Sequence, residues 1–362
     1  MLNTRVDKLL SLMNDHQLDA VIFVPSENMY YFTGIPLHAS ERLTLALVTK
    51  GGERILLVPA VELNKVKEET GETVFFYSDE EGPNAALQQL KDKIGHLKKV
   101  GYVYAETRVS EEKYIEKLDF ECSVDIGKLV PSIRMFKEAE EIDNMRGAVK
   151  IVEESLSATL PYIEPGVSEL SIAARLEFEM RSRGSEGTPF KTIVASGYRG
   201  ALPHGRASNK TIEKGDLVVL DYGAIYNGYV ADITRTVAVG SVTNETKKVY
   251  EIVKKANESA INRIKPGVKI HDLDEEARDI IRQAGYGDYF THRLGHGIGL
   301  NGHEEPFIMQ NNEMVLQQGM AFTIEPGIYL KDKFGVRIED NLIVTDNGSR
   351  NLMTFTKDLI VL

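Results

Sequence analysis

Residues 220–236 read LDYGAIYNGYVADITRT and place Asp221 and Asp232 on either side of Asn227-Gly228. The flanking runs VVLD and VADITRTVAV are rich in β-branched residues, and Asn-Gly between such runs is a strong hairpin signal. A four-residue loop over Ile225–Gly228 centres the turn between Tyr226 and Asn227 and sets Asp221 directly opposite Asp232, with a bulge shifting this by one position. Like charges facing each other destabilise a strand pair, so the arrangement calls for a positive group between them. Taken alone, the stretch reads equally well as a solvated surface hairpin in another register.

The same construction returns later in the chain. Ile151-Val152 followed by Pro165-Gly166-Val167 recurs as Ile252-Val253 followed by Pro266-Gly267-Val268. Each copy reads as a helix, a Pro-Gly turn and a second helix, SELSIAARLEFEMRSRG in one and HDLDEEARDIIRQAG in the other. Further on, GDLVVLDYG is echoed by GMAFTIEPG, which sets Asp221 on Glu325 and Gly223 on Gly327. The runs FTIEPGIY and GVRIEDNLIV flank KDKFG, and a five-residue loop about Asp332 opposes Glu325 and Glu339. Two solvated hairpins have no reason to repeat one acidic pairing in two copies of a unit. The expected C-terminal region is therefore two αα-plus-hairpin halves about a pseudo-twofold axis. Their hairpins meet in a central antiparallel sheet, with helices outside and four acids at the join.

With 362 residues the chain has room for two domains. Residues 1–130 alternate helices with strand candidates (AVIFV, LTLALVT, RILLV, TVFFYS, KVGYVY), the pattern of an α/β domain. Pro131 breaks the chain, MFKEAEEIDNMRGAVKIVEESLSATL reads as a long helix, and residues 131–362 form the second domain. The net charge of −11 argues against nucleic acid as a partner. The absence of a long apolar run or a leader-like apolar stretch points away from the membrane and toward the cytoplasm. Cys122 is the only cysteine, which excludes an intramolecular disulfide and a Cys-rich zinc site.

Four convergent carboxylates in a partly buried site require compensation. Two divalent cations balance the formal charge, and because carboxylates can bridge metals, five protein ligands suffice. The fifth is expected from THRLGHGIGLNGHEEP, which carries His292, His296 and His303. His292 and His296 have helical i, i+4 spacing, but Gly295, Gly297 and Gly299 favour a loop that brings backbone close to a ligand. Residues 297–302 also match GxGxxG, yet HEEPF follows where a dinucleotide site needs a helix. His271 begins the HDLDEE helix, a capping or surface position.

On these residues the C-terminal region resembles the pita-bread metallopeptidases. The whole chain is similar to the Xaa-Pro dipeptidase (prolidase) and aminopeptidase P group, most specifically in DYGAIYNGYVADITRT, HRLGHGIGLNGHEEP, TIEPGIY and VRIEDN. The implied fold is α+β, a pita-bread (creatinase/aminopeptidase) domain preceded by an α/β creatinase-like domain. The resemblance implies dinuclear ligands Asp221, Asp232, His296, Glu325 and Glu339, with Asp232 and Glu339 bridging, Asp221 on one ion, and His296 with Glu325 completing the other. It implies metal-assisted hydrolysis in which Glu325 takes a proton from the attacking water while His204, in LPHGRASN, and His303 stabilise the tetrahedral oxyanion. His292 is implied to line the substrate pocket. Arg337, two residues before Glu339 and hence on the same strand face, is implied to stand at the same site and anchor the carboxylates; Arg235 is a weaker parallel.

The hard donor set and the resemblance favour manganese, with cobalt or zinc as the other candidates. The implied substrates are short proline-containing peptides, the implied assembly a homodimer, and the preferred activity dipeptide hydrolysis. Some dipeptidases of the group carry a basic residue shortly after the position of His303, where this chain has Phe307; Arg206 or an N-terminal residue is the expected substitute. An aminopeptidase P, a creatinase-like hydrolase and a non-catalytic interaction protein are the alternatives. Residues 26–43, with His38 and Arg42, either reach a pocket or form a surface loop.

Overall fold

The computed structural model describes residues 2–69 and 73–362. They form two compact units that divide between Arg134 and Met135.

In the first unit α1 (Leu2–Asp15), α2 (Glu27–Thr33), α3 (Leu63–Glu69), α4 (Asn84–Ile94), α5 (Val109–Ile115) and α6 (Pro131–Arg134) accompany six strands. These are β1 (Ala20–Phe23), β2 (Leu45–Thr49), β3 (Arg54–Pro59), β4 (Thr73–Tyr77), β5 (Leu97–Tyr102) and β6 (Phe120–Asp125). They make one sheet in the order β4-β3-β2-β1-β5-β6. The β1–β2 and β2–β3 pairs are antiparallel and the others parallel. Every residue of β1 is buried, the mark of a strand covered on both faces. β6, which the sequence reading passes over, is an edge strand with no buried residue; it carries the exposed Cys122. In the 26–43 segment, Ser26 caps α2, His38 is exposed, and Arg42 is held in a two-point ion pair by Asp79 at 2.8 and 2.9 Å.

The second unit opens with α7 (Ala139–Thr159) and α8 (Glu169–Ser182), then β7 (Ile193–Ser196), β8 (Leu217–Tyr226) and β9 (Tyr229–Ala238). It repeats the plan with α9 (Asn244–Arg263) and α10 (Ile270–Gln283) ahead of β10 (Gly295–Gly297), β11 (Glu304–Ile308), β12 (Ala321–Ile324), β13 (Gly327–Leu330), β14 (Phe334–Arg337), β15 (Asp340–Val344) and β16 (Ser349–Asn351). The strands form three antiparallel sheets, β7-β8-β9, β11-β10-β12-β15-β16 and β13-β14, in place of the single central sheet expected, and the helices of the second half pack on their own strands. Val253, Ala256 and Ala260 of α9 and Leu273, Ala277 and Ile281 of α10 share a core with Phe322, Ile324, Ile328 and Val336. α10 starts at Ile270, so His271 lies inside its first turn and is not the cap.

The β8–β9 hairpin corrects the expected register. Tyr226 pairs with Tyr229, and Asn227 and Gly228 both take positive φ, 47° and 77°, which makes a two-residue turn of the type Asn-Gly favours. Asp221 therefore faces Thr234, and Asp232 faces Gly223. With side chains alternating along each strand, the two acids share a face as diagonal neighbours instead of opposing each other. In the second hairpin, Ile324–Asp340 and Gly327–Arg337 keep a single register, which sets Glu325 across from Glu339. Its loop is shorter than the expected five residues, since Leu330 pairs with Phe334 around Asp332.

The two hairpins meet along a seam between β9 and residues 337–341. One backbone bridge, Thr234–Glu339, joins them. On one side of it Asn341 clips Asp232, accepting from its N–H at 3.1 Å and donating to its carbonyl at 2.7 Å. On the other, Thr236 Oγ1 donates to the Arg337 carbonyl at 2.9 Å and accepts from its N–H at 3.2 Å.

Candidate metal centre

The seam brings Asp221, Asp232 and Glu339 together, with one ligand oxygen of each inside a mutual span of 4.8 Å. His296, Glu325 and Glu339 form a second such trio, and Asp232, His296 and His303 a third. Asp221 and Asp232 come from β8 and β9, Glu325 from the short break between β12 and β13, and Glu339 from the matching break between β14 and β15. His296 stands on β10, a strand where the sequence suggests a loop. The glycines serve backbone packing: a side chain on Gly295 would begin 1.9 Å from the Thr323 carbonyl oxygen, and one on Gly297 would begin 2.2 Å from that of Glu305. The strand β11 follows the 297–302 stretch, so the GxGxxG match has no helix after it.

Hydrogen bonds aim the donors. His296 Nδ1 lies 3.1 Å from the Gly297 carbonyl, so that nitrogen carries the hydrogen and Nε2 is left free toward Glu325 and Asp232, 3.4 and 3.9 Å away. Thr234 Oγ1 donates to Glu339 at 2.7 Å. Arg337 donates to Asp221, to Thr234 Oγ1 at 3.2 Å, to Tyr329 Oη at 2.7 Å and to the Pro203 carbonyl at 3.2 Å. Its guanidinium is thus taken up in holding Asp221. Arg235 points elsewhere, donating to Asp340 at 2.7 Å and to the Glu339 carbonyl at 2.6 Å, and touches none of the five donors' side chains through these bonds.

Asp232 Oδ1 and Glu339 Oε1 are buried without a hydrogen-bond partner. A buried oxygen left in this way costs free energy, and two of them inside one acidic trio fit divalent cations. Burial, followed by repulsion from Glu339 and Asp221, pushes the Asp232 carboxyl well above its ordinary range. Burial and then Glu325 do the same to Glu339. Burial raises Glu325 to about 8 and drives His296 well below the usual histidine value. These are the directions expected of ligands that lack their counter-charge.

A cavity of about 670 Å³ opens onto this cluster. His204, His292, His303 and Arg337 line it with the five donors, as do Phe190, Lys191, Ile193, Arg206 and Arg293. His204 and His303 keep exposed surface, and the His303 ring sits 3.8 Å from that of His296, centroid to centroid. His292 is occupied at both nitrogens: Nδ1 donates to the Arg293 carbonyl at 2.7 Å, and Nε2 meets Tyr329 Oη at 2.8 Å. Burial pushes it down to about 4, so it is a neutral ring at the cavity wall. Sequence reading missed Thr234, Tyr329 and Arg293. Thr234 stands two residues from Asp232 on β9, and Tyr329 lies on β13, beyond the break that carries Glu325. Arg293 was hidden between two histidines; its guanidinium lies 4.3 Å above the Phe307 ring, which sets a cation from another element beside Phe307.

Residues 143–346 match metallopeptidase family M24, and residues 5–136 match the creatinase/prolidase N-terminal domain. The chain is 38% identical to the Xaa-Pro dipeptidase of Pyrococcus furiosus over 98% of its own length and 99% of that protein. Among solved structures it resembles a dipeptidase from Pyrococcus horikoshii OT3 (TM-score 0.93, 37% identity, 99% of this chain and 100% of that one). It also resembles an X-Pro aminopeptidase from Thermotoga maritima MSB8 (TM-score 0.86, 36% identity, 99% of each chain). The duplicated hairpin scaffold and its acidic centre define a metal-dependent hydrolase. The chain belongs to metallopeptidase family M24.

Proposed function

We propose that this chain is a dinuclear-metal Xaa-Pro dipeptidase, a prolidase, and the observation that carries the reading is the buried donor cluster with its two unpartnered oxygens. Asp221, Asp232, His296, Glu325 and Glu339 would hold the two ions. When bound, divalent metal supplies a water acidic enough to deprotonate near neutral pH and polarises the scissile carbonyl. Glu325 takes the proton from the attacking water, and His204 and His303 steady the oxyanion. Arg337 and Tyr329 hold Asp221 and His292, whose ring contributes shape to the pocket. Manganese suits four carboxylates and one imidazole; reconstitution of chelated protein with manganese, cobalt and zinc in turn tests this, and recovery with zinc alone would overturn it.

The relatives' names divide between dipeptidase and aminopeptidase. What favours the dipeptidase is the cationic lining: Arg293, Arg206 and Lys191 face the cavity, and a dipeptide ends in a carboxylate within reach of the reacting bond. Amino-acid release from an Xaa-Pro dipeptide and a matched Xaa-Pro-Xaa tripeptide, with and without manganese, tests it. We expect manganese-dependent cleavage chiefly of the dipeptide; preference for the tripeptide would make the chain an aminopeptidase P. The reading assigns chemistry to residues 131–362, gives residues 1–130 an α/β accessory domain, and includes a cytoplasmic homodimer, which sedimentation of the purified protein tests. Among the described residues no helix is long and apolar enough to cross a membrane.

A further inference from the structure

Each half of the second unit carries a fully buried acid on its second helix, outside the cavity and outside the donor cluster. In the first half Glu169 opens α8 with no exposed surface. Its carboxylate accepts five hydrogen bonds: from Ser196 N and Oγ at 2.7 and 2.9 Å, from Arg199 Nε at 2.9 Å, and from Ser208 N and Oγ at 3.1 and 2.7 Å. Arg199 also donates to the Arg206 carbonyl at 2.6 Å. These bonds bracket the segment that carries His204 and Arg206.

In the second half the acid is Asp274 of α10, also fully buried. It accepts from Leu294 N at 3.0 Å and takes the Arg278 fork at 2.6 and 3.2 Å. Arg278 donates onward to the carbonyls of Phe290 and His292 at 3.0 and 2.6 Å. The Leu294 carbonyl accepts the N–H of Glu325 at 2.8 Å, so this brace reaches a metal-ligating acid and lies two residues from His296.

A buried charge is a poor way to gain stability, because desolvation consumes most of what its partners return. It does fix backbone in one geometry. We propose that Glu169 and the Asp274–Arg278 pair are positioning residues for the two walls of the cavity. Glu169 sets the substrate-side wall with His204 and Arg206. Asp274 with Arg278 sets the metal-side wall with His292, His296 and Glu325. The assignment rests on the peptidase reading of the site, and the two braces have separable signatures.

The test measures kcat, KM and manganese affinity, the last by competition with a fluorescent chelator, in Glu169→Gln and Arg278→Lys. Residues that orient a site of this kind typically cost roughly 10–100-fold in metal affinity or activity. Glu169→Gln is expected to lower kcat/KM by that order with manganese affinity unchanged. Arg278→Lys is expected to weaken manganese binding by that order, with kcat recovering at saturating metal. Ser208→Ala and Arg199→Lys each remove part of the Glu169 brace and repeat the first measurement if Glu169→Gln does not fold. Lower melting temperature with wild-type kcat, KM and affinity in the variants would overturn the proposal, as would equal loss of metal affinity in both. If wild-type protein cuts no proline peptide, the function reading fails by itself; the manganese titrations of the two variants still decide between the braces.

Discussion

Glu325 is the donor whose chemistry is easiest to remove without moving the backbone. Glu325→Gln keeps its volume and its N–H bond to Leu294 and loses the base, so we expect kcat to fall by about 10²–10⁴ while the metal-free fold persists; turnover near wild type, in a steady-state assay, would remove Glu325 from its role. Arg293→Gln bears on the carboxylate of a dipeptide, and we expect KM for Xaa-Pro to rise more than tenfold with a smaller change for a tripeptide. At this scale the acids and histidines were legible because few residue types carry such chemistry and because the hairpin recurs. Thr234, Asn341 and Tyr329 were not singled out, since threonine, asparagine and tyrosine serve everywhere in proteins and only the assembled seam gives each its bond. Arg235 misled for the opposite reason: its type was suggestive, and its strand parity turns it to Asp340.

At the scale of elements, β10 is a narrow fit. Gly297→Ala places a methyl carbon against the carbonyls of Glu304 and Glu305, backbone that cannot step aside, and overpacking of this kind costs about 1–3 kcal/mol. The measurement is thermal unfolding with and without manganese; because His296 is the strand's middle residue, metal affinity is expected to fall with stability. The sequence displayed these glycines but not their reason, because three strands closing on one another is a tertiary fact. The β8–β9 turn shows a finer limit. Asn-Gly marked the hairpin, yet two- and four-residue loops share the same signal, and the choice between them moves Asp232 from opposite Asp221 to a diagonal. The β12–β15 register was readable because Asp332 centres the loop at either length.

For the molecule as a whole, proton and metal compete for one set of oxygens. Glu325, ordinarily near 4.5, is held at about 8 in the folded chain, and Asp232 and Glu339 are raised as well. Between 6.5 and about 8 the metal-free fold keeps carboxyl protons that the unfolded chain has released, so its stability falls as pH rises through that window; below 6.5 His292, His296 and His303, held under their ordinary value by burial, act in the opposite sense. Manganese needs the deprotonated oxygens and so adds most at the upper end, about 2.7 kcal/mol at a hundredfold excess over Kd. Melting curves at pH 7 and 8, with chelator or manganese, check both slopes. A metal-free protein more stable at pH 8 than at pH 7 would contradict them. The duplication behind this site was the most legible large feature, carried by repeated Pro-Gly-Val and acid-x-Gly spacing; the β6 edge strand left almost no trace, since nothing along it is buried.

The seam acts as a gauge block. A continuous ladder would lock the two hairpins by many equivalent rungs, any of which tolerates slippage by two residues with little change in fit. One rung flanked by two unlike clips, an amide on Asp232 and a hydroxyl on Arg337, admits a single alignment. The spacing between the halves and the spacing between Asp232 and Glu339 are therefore one dimension, machined into the chain by residues that touch no substrate.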